Sequence, residues 1–267
     1  MTGNIMKIIV LIKQVPDTTD VKIDPVTNTL KREGVASVIN PFDMYAIEEA
    51  LRVKEKLPGA EVIVLSMGPP QAKEVLTEAI SLGCDKGILV SDRKFAGSDT
   101  WATSYTLSQA IKKMGDFGLI FCGKQASDGD TAQVGPGVSV HLDVPQVTYV
   151  KKIESIDAAG ARVERMTEEG YDIVETPLPV LLTVVKEINE PRLPSLKGKM
   201  RAKKAEIPVW TADELNCHEE KIGLDGSPTR VLKIFTPPAR KGGEILEGEA
   251  PETAKKLAGL VKKAIIG

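Results

Sequence analysis

The sequence predicts an α/β protein built on a doubly wound parallel sheet, and three observations agree on this fold class. Short apolar runs recur through residues 7–142, each too short for a helix and too apolar for a loop. Segments with helical spacing of apolar residues separate these runs. Glycine, proline and asparagine mark the boundaries between the two kinds of segment. Alternating strands and helices favour right-handed crossovers and a parallel sheet that is covered on both faces.

The central strands are predicted from four apolar runs: Lys7–Val15, Glu61–Met67, Lys86–Val90 and Leu119–Cys122. Three amphipathic helices are predicted between them: Met44–Lys54, Gln71–Leu82 and Thr100–Met114. The polar segment Asp17–Gly34 is predicted to be a loop or a short hairpin. In such a sheet, ligands bind beyond the carboxyl ends of the strands, so we expect Asn40–Asp43 and Met67-Gly68 to meet there.

A polar loop follows the fourth strand and leads into another helix. Asp128, Gly129 and Asp130 form its middle, and Thr131 leads into a segment that continues as a helix. Backbone N–H groups and the positive end of the helix dipole converge at such a junction, so the pattern predicts an anion site. Gly129 and Gly135 are expected to let the backbone approach a ligand closely. The alternative is a surface loop whose Asp and Thr only cap the helix, because the stretch matches neither standard phosphate motif.

In the second half of the chain, predicted strands no longer alternate with predicted helices. Four strand-like runs with little helix between them predict an antiparallel extension: Gln146–Ile153, Ala161–Met166, Tyr171–Thr176 and Val180–Val185. The basic segment Asn189–Lys204 is either a solvated loop or a docking loop. A short helix is predicted over Trp210–Leu215, capped by Thr211.

We expect a nucleotide-binding domain over residues 1–210, with the docking loop near 189–204, and a C-terminal arm over residues 211–267. The arm is rich in Gly and Pro after Lys221 and ends in a helix over Pro251–Ile266. A long extended segment that ends in a helix is expected to pack against a partner subunit.

Composition excludes several functional classes. The balance of 35 basic against 37 acidic residues gives a formal charge of −2, which disfavours nucleic acid as a partner. No apolar run reaches the length of a membrane span. The three cysteines are widely spaced, as expected of reduced thiols, so the cytoplasm is the expected compartment.

The sequence shows no catalytic or metal-binding constellation. The only histidines are His141 and His218, and the cysteines lack metal-ligand spacing. Asp128 and Asp130 could hold Mg²⁺ beside a phosphate, but acidic residues at a helix start are more often caps. We therefore expect neither a catalytic side chain nor a metal, and assign any redox chemistry to a bound cofactor.

Five motifs, in order along the chain, carry a family resemblance: KQVPDT from Lys13, NPFD from Asn40, SMGPP from Ser66, CGKQASDGDTAQVGP from Cys122, and NEPRLPSLKGKMRAKKAEIPVW from Asn189. Together they resemble the beta subunit of electron transfer flavoprotein over essentially the whole chain. The resemblance implies an adenine-nucleotide-binding, Rossmann-like domain that pairs with an FAD-carrying alpha subunit. A nucleotide-responsive homodimer, akin to universal stress proteins, is the alternative from another class.

The resemblance also implies site residues. The nucleotide contacts of the family fall here on the following residues: Leu11, Asn40, Pro41, Phe42, Asp43, Met67, Ala126, Ser127, Asp128, Gly129, Asp130, Thr131, Ala132, Gln133, Val134 and Gly135. The family's loop for docking a dehydrogenase matches Asn189–Met200, with Leu196 as its protruding leucine.

The DGDTAQVGP loop more closely resembles the electron-bifurcating members than the simple carriers. That resemblance implies FAD in the beta-subunit site and NADH as hydride donor. It also implies two acceptors, a flavin-dependent dehydrogenase of the acyl-CoA or 2-hydroxy acid type and a low-potential carrier such as ferredoxin. NADH oxidation would then occur only within the complex. The alternative is a non-bifurcating carrier with a structural AMP in the same site.

Overall fold

The computed structural model describes residues 6–17, 37–157, 159–232, 243 and 245–266. The chain divides into two compact units, residues 1–232 and 233–267. The strands are β1 Lys7–Leu11, β2 Gln14–Pro16, β3 Ser37–Ile39, β4 Glu61–Met67, β5 Lys86–Val90, β6 Leu119–Gly123, β7 Gln146–Ile156, β8 Gly160–Met166, β9 Tyr171–Pro177, β10 Val180–Val184 and β11 Val209–Trp210. The α-helices are α1 Pro41–Lys56, α2 Lys73–Leu82, α3 Thr100–Met114, α4 Val134–Leu142, α5 Leu196–Ala202 and α6 Ala250–Ile266.

Among the residues that the structure describes, a nine-stranded sheet organises the first unit. Its order is β11-β5-β4-β1-β6-β10-β7-β8-β9, and every pairing from β11 to β7 is parallel. The last two pairings, β7 with β8 and β8 with β9, are antiparallel. The predicted mixed sheet, parallel with an antiparallel extension, is therefore confirmed.

Helices cover both faces of this sheet because the side chains of its strands alternate between two apolar cores. Ile8 and Val10 of β1 belong to the core that α1 and α2 complete. Ile9 and Leu11 belong to the opposite core, which α3 and α4 complete. A strand buried on both faces needs a continuous apolar run, and this explains why the central strands show no polar alternation in the sequence.

One strand lies elsewhere than predicted. Val180–Val184 was expected in the antiparallel extension, but β10 lies in the parallel core between β6 and β7. All five of its residues are buried, which suits a central strand. The sequence could not show this, because β10 follows two antiparallel strands along the chain and only tertiary pairing places it in the gap.

Three local predictions also need correction. The run Lys7–Val15 divides into β1 and a second strand, β2, which pairs antiparallel with β3. The predicted helix over Trp210–Leu215 is replaced by β11 and a turn, in which the Leu215 N–H donates to the Thr211 carbonyl at 3.1 Å. The segment 189–204 contains a short helix, α5. The predicted loop or hairpin over 17–34 lies outside the described residues beyond Asp17.

The second unit contributes α6, which confirms the helix predicted near the C-terminus. Its apolar side chains recur at helical spacing, and four of them are exposed: Leu257, Leu260, Val261 and Ile265. The contact of this helix with a partner subunit stays a prediction. In the described part of the chain, no helix combines the length and apolar character that crossing a membrane requires.

The central position of β10 gives a stability prediction. Leu181 is fully buried in β10, so Leu181→Ala should lower the free energy of unfolding by about 2–5 kcal/mol, as cavity-forming core substitutions do. Ile173 of β9 is 40% exposed, so Ile173→Ala should cost less than about 1 kcal/mol. Urea denaturation of both variants measures the difference. Equal costs would contradict the assignment of β10 to the core.

Candidate functional site

The candidate site lies at the carboxyl ends of β1 and β6, which are neighbours in the sheet. From β1 the chain continues toward β4 on one side, and from β6 it continues through α4 toward β7 on the other side. In open parallel sheets, such a divergence leaves a crevice beyond the carboxyl ends of the strands, and this is the usual ligand position. Leu11 and Met67 are the last residues of β1 and β4, and the segment 124–133 follows β6.

Asn40 fastens this segment to the start of α1. As the N-cap residue of α1, Asn40 would usually bond to its own helix, but no side-chain cap bond forms. Its amide donates instead to the Gln125 carbonyl at 2.9 Å, and its side-chain oxygen accepts from the Ser127 N–H at 3.0 Å. Asn40 is only 1% exposed. A buried side chain that satisfies both sides of its amide fixes the loop, because losing either bond would leave a buried polar group unpaired.

Asp43, in the first turn of α1, joins the two strand ends. Its carboxylate accepts the Lys13 N–H at 2.8 Å and the Gly123 N–H at 3.1 Å. Burial raises the pKa of Asp43 to about 7, against the opposing effect of these donors and of Asn40. A Cβ at Gly123 would lie 2.5 Å from the Cβ of Phe42, so glycine is needed where β6 passes α1.

The outer part of the loop is held by pairs of side chains. Lys13 Nζ lies 2.6 Å from Asp128 Oδ1 across the crevice, and Gln125 donates a hydrogen bond to Asp130. Asp130 and Ala132 have left-handed φ values of 51° and 55°, so the backbone turns sharply before α4. Both acidic side chains are therefore engaged by neighbouring residues. The described residues contain no group of three side chains that could hold a metal ion.

The start of α4 favours the anion site over the capping alternative. The helix begins at Val134, three residues later than Thr131, and no side chain caps it. Within the described chain, the N–H groups of Val134 and Gly135 have no protein acceptor. Unpaired N–H groups at a helix start can donate to an anion.

The two glycines that were expected to face a ligand have different surroundings. A Cβ at Gly135 would lie 2.8 Å from Cys122 Sγ and 2.9 Å from Thr183 Cγ2. Gly135 is therefore needed for close packing of α4 on the sheet, and a ligand contact of its backbone stays a prediction. A Cβ at Gly129 would meet no described atom within 4 Å, so the space beside Gly129 is open.

Sequence reasoning missed two residues beside the site. Lys124 Nζ lies 5.3 Å from the ring centroid of Phe42 and 5.5 Å from that of Tyr149. Tyr149 has a left-handed φ of 59°, which costs a bulky residue about 1–3 kcal/mol. A register shift between Leu182 and Val184 of β10 accompanies this conformation. Lys124 could have been found from its place after Gly123, whereas no sequence signal marks the backbone of Tyr149.

The predicted residues thus fall into two places. Asn40, Phe42 and Asp43 contact the β6 strand end or its loop directly. Pro41 begins α1. Residues 126–133 form the loop after β6, and Val134 and Gly135 begin α4. Leu196 lies on α5, which packs on α2 and is separate from this site.

A family model and three relatives of known name were compared with the chain, and all four belong to one protein family. The family model described as "Electron transfer flavoprotein domain" matches residues 27–215. The electron transfer flavoprotein subunit beta of Thermoanaerobacterium thermosaccharolyticum is 53% identical over 253 residues, which cover 94% of this chain and 96% of the relative. The subunit of the same name from Megasphaera elsdenii is 50% identical, with 91% and 92% covered. The caffeyl-CoA reductase-Etf complex subunit CarD of Acetobacterium woodii is 49% identical, with 97% of each chain covered.

The burial of Asp43 predicts a pH dependence. Its pKa rises from 3.8 in the unfolded chain to about 7 in the folded protein, so folded Asp43 binds a proton that the unfolded chain has released. Its contribution to the free energy of unfolding should therefore fall as the pH rises from about 4 to about 7. Carbon-13 NMR of labelled aspartate should show a carboxyl titrating near pH 7. Asp43→Asn should remove that signal and the matching pH dependence, and titration of Asp43 near pH 4 would contradict the prediction.

Proposed function

The chain belongs to the electron transfer flavoprotein family as a beta subunit, and from this premise we propose that it binds FAD within a heterodimer with an alpha subunit. The FAD site is the crevice between the ends of β1 and β6. NADH is the electron donor, and the acceptors are a flavin-dependent dehydrogenase and a low-potential carrier such as ferredoxin. The family assignment replaces the alternative of a nucleotide-responsive homodimer.

The observation that carries the FAD site is the uncapped start of α4 beside a loop that buried side chains hold in place. The N–H groups of Val134 and Gly135 are suited to donate to a phosphate group. Asn40 and Asp43 fix the loop before any ligand arrives, so little ordering cost remains for binding. The fit supports an adenine nucleotide with its phosphate at α4.

The open space beside the loop favours FAD over AMP. No described atom lies within 4 Å of a Cβ at Gly129. Lys124, Phe42 and Tyr149 extend the site with two aromatic rings and a cation. A flat ring system packs well on aromatic side chains, whereas AMP has no second ring system to place there. AMP as a structural ligand is the second candidate.

FAD, when bound, supplies the exchange between two-electron and one-electron transfer that bifurcation of the NADH electrons requires. The protein's residues bind and orient it: the loop positions the phosphates, and the aromatic side chains exclude water from the ring. No described side chain in the crevice needs to act as an acid or a base in this proposal.

The dehydrogenase is proposed to dock on the surface of α5 and the segment before it. Leu196 is 77% exposed and Leu193 is 88% exposed. Met200 is also exposed, and lysines 197, 199, 203 and 204 surround these apolar side chains in the sequence. An exposed apolar cluster with a basic rim fits a partner with an apolar pocket and an acidic border. The name of the Acetobacterium woodii relative places that protein in a complex with a reductase, which supports a partner of this kind.

Cofactor content tests the FAD proposal. Extraction and absorption spectroscopy of the purified heterodimer should give two FAD molecules per heterodimer, one from each subunit. One FAD and one AMP would identify the non-bifurcating carrier instead. A matched variant, Asn40→Ala, should lower only the beta-subunit nucleotide, because it removes both side-chain bonds to the loop.

Substitution of Leu196 tests docking. Leu196→Ala should raise the KM for the dehydrogenase about tenfold, a loss of about 1.4 kcal/mol in binding free energy, and leave the flavin content unchanged. Ile173→Ala removes an exposed apolar side chain from the far edge of the sheet and serves as the control. An unchanged KM for Leu196→Ala would remove the docking role from this surface.

A further inference from the structure

Helix α1 contacts both functional regions of the protein. At its N-terminal end, Asn40 and Asp43 hold the loop after β6. Further along the same helix, Glu48 and Glu49 bind the segment 189–192, which leads to α5. One rigid element therefore sets the position of the nucleotide site and of the proposed docking surface.

The main contact between α1 and this segment is a two-pronged ion pair. Arg192 Nε donates to Glu48 Oε2 at 2.7 Å, and Arg192 Nη2 donates to Glu48 Oε1 at 3.1 Å. The Arg192 backbone N–H also donates to Glu48 Oε2 at 3.1 Å. A third nitrogen, Nη1, donates to Glu55 Oε1 at 2.8 Å. Glu48 is only 4% exposed, so the pair is largely removed from water on the glutamate side.

Neighbouring hydrogen bonds also hold the segment 189–192 on α1 or orient Glu48. The side-chain amide of Asn189 donates to the Tyr45 carbonyl at 3.0 Å and to Glu49 Oε2 at 2.9 Å. Arg52 Nε donates to Glu48 Oε1 at 2.8 Å. Burial alone would raise the pKa of Glu48, but the bonds from Arg192 and Arg52 outweigh it and lower the pKa. Glu48 is therefore ionised, as the ion pair requires.

The backbone of this segment has little other support. Residues 189–194 belong to no helix or strand and make no backbone-to-backbone hydrogen bond within the described chain. Support resumes at α5, where Arg201 Nη2 donates to the Ile80 and Cys84 carbonyls, each at 2.8 Å. Leu193 lies in this weakly supported segment, and Leu196 begins α5 just after it. The contacts of Asn189 and Arg192 with α1 therefore fix the approach of the chain to Leu196.

We propose that Arg192 and Glu48 are positioning residues for docking, which hold Leu196 at a fixed place relative to the nucleotide site. This inference rests on the proposed docking function. A buried ion pair adds little net stability, because desolvation offsets the attraction, but two parallel bonds to one carboxylate define a geometry closely. The pair therefore contributes to the accuracy of docking.

The chain offers a matched control. Arg162, on β8, also binds two carboxylates, with Nε 2.7 Å from Glu154 Oε2 and Nη1 bonded to Glu175. It lies in the antiparallel extension, away from α1 and α5. Arg162→Met thus removes an arginine that also binds two carboxylates, at a more exposed place, without touching the docking segment.

The experiment uses the intact heterodimer and a purified acyl-CoA dehydrogenase that exchanges electrons with the wild-type protein. Arg192→Met should raise the KM for the dehydrogenase about tenfold, with kcat and flavin content unchanged, because docking geometry changes while the redox centres do not. Arg192→Lys should show a smaller increase than Arg192→Met, because lysine keeps the positive charge beside Glu48. Its KM should still exceed that of the wild type, because a lysine cannot form the two parallel bonds. Arg162→Met should leave the KM unchanged.

A double-mutant cycle decides whether Arg192 acts through Leu196. If it does, Arg192→Met should add little to the KM of the Leu196→Ala variant. Additive effects, or an equal rise in KM for Arg162→Met, would overturn the positioning role. An unchanged KM for Arg192→Met and Arg192→Lys beside a raised KM for Leu196→Ala would overturn it as well. An unchanged KM for Leu196→Ala would instead contradict the docking function itself.

Discussion

The bond between the start of α1 and the end of β6 is the constraint on which the site depends. Asn40 and Asp43 are both buried. Their side-chain atoms bond to backbone groups at or just after the ends of β1 and β6. Backbone groups at strand ends would otherwise lack partners, because the sheet pairing stops there. The same bonds that satisfy these groups give the loop its shape. Fold and site therefore share one set of polar contacts, and a change at either residue affects both.

Charged residues on α1 extend this constraint along the helix. The carboxylates that face the segment 189–192 are ionised or hydrogen bonded, and each has a specific donor. In a surface helix, such residues would contribute little beyond solvation. Here Glu48 lies between α1 and an irregular segment that has few backbone bonds of its own. The polar residues of α1 thus bind both the loop after β6 and the segment 189–192. The apolar spacing of the helix predicts only its core-facing side.

Periodicity and punctuation in the sequence predicted most of the α/β unit, because a parallel sheet buries both faces of its strands and leaves long apolar runs. The position of β10 could not be read in this way, since any buried strand has the same composition wherever it pairs. The loop after β6 was predicted from helix-end chemistry, but the partners of Asn40 were not, because a residue of this type before a helix normally caps it. The left-handed backbone of Tyr149 could not be predicted, because tyrosine is not a residue type that favours this conformation.

The place of β10 has a consequence for synthesis of the protein. Strands β6 and β7 are linked by α4, but β10 separates them in the sheet. The ribosome therefore delivers both neighbours, and the hairpins of β8 and β9, before the strand that joins them. Until Val180–Val184 emerges, the nascent chain has two exposed strand edges at the centre of its future sheet, and such edges recruit other chains. A chain that stalls or is cut before this point is an aggregation-prone intermediate and a natural client for chaperones.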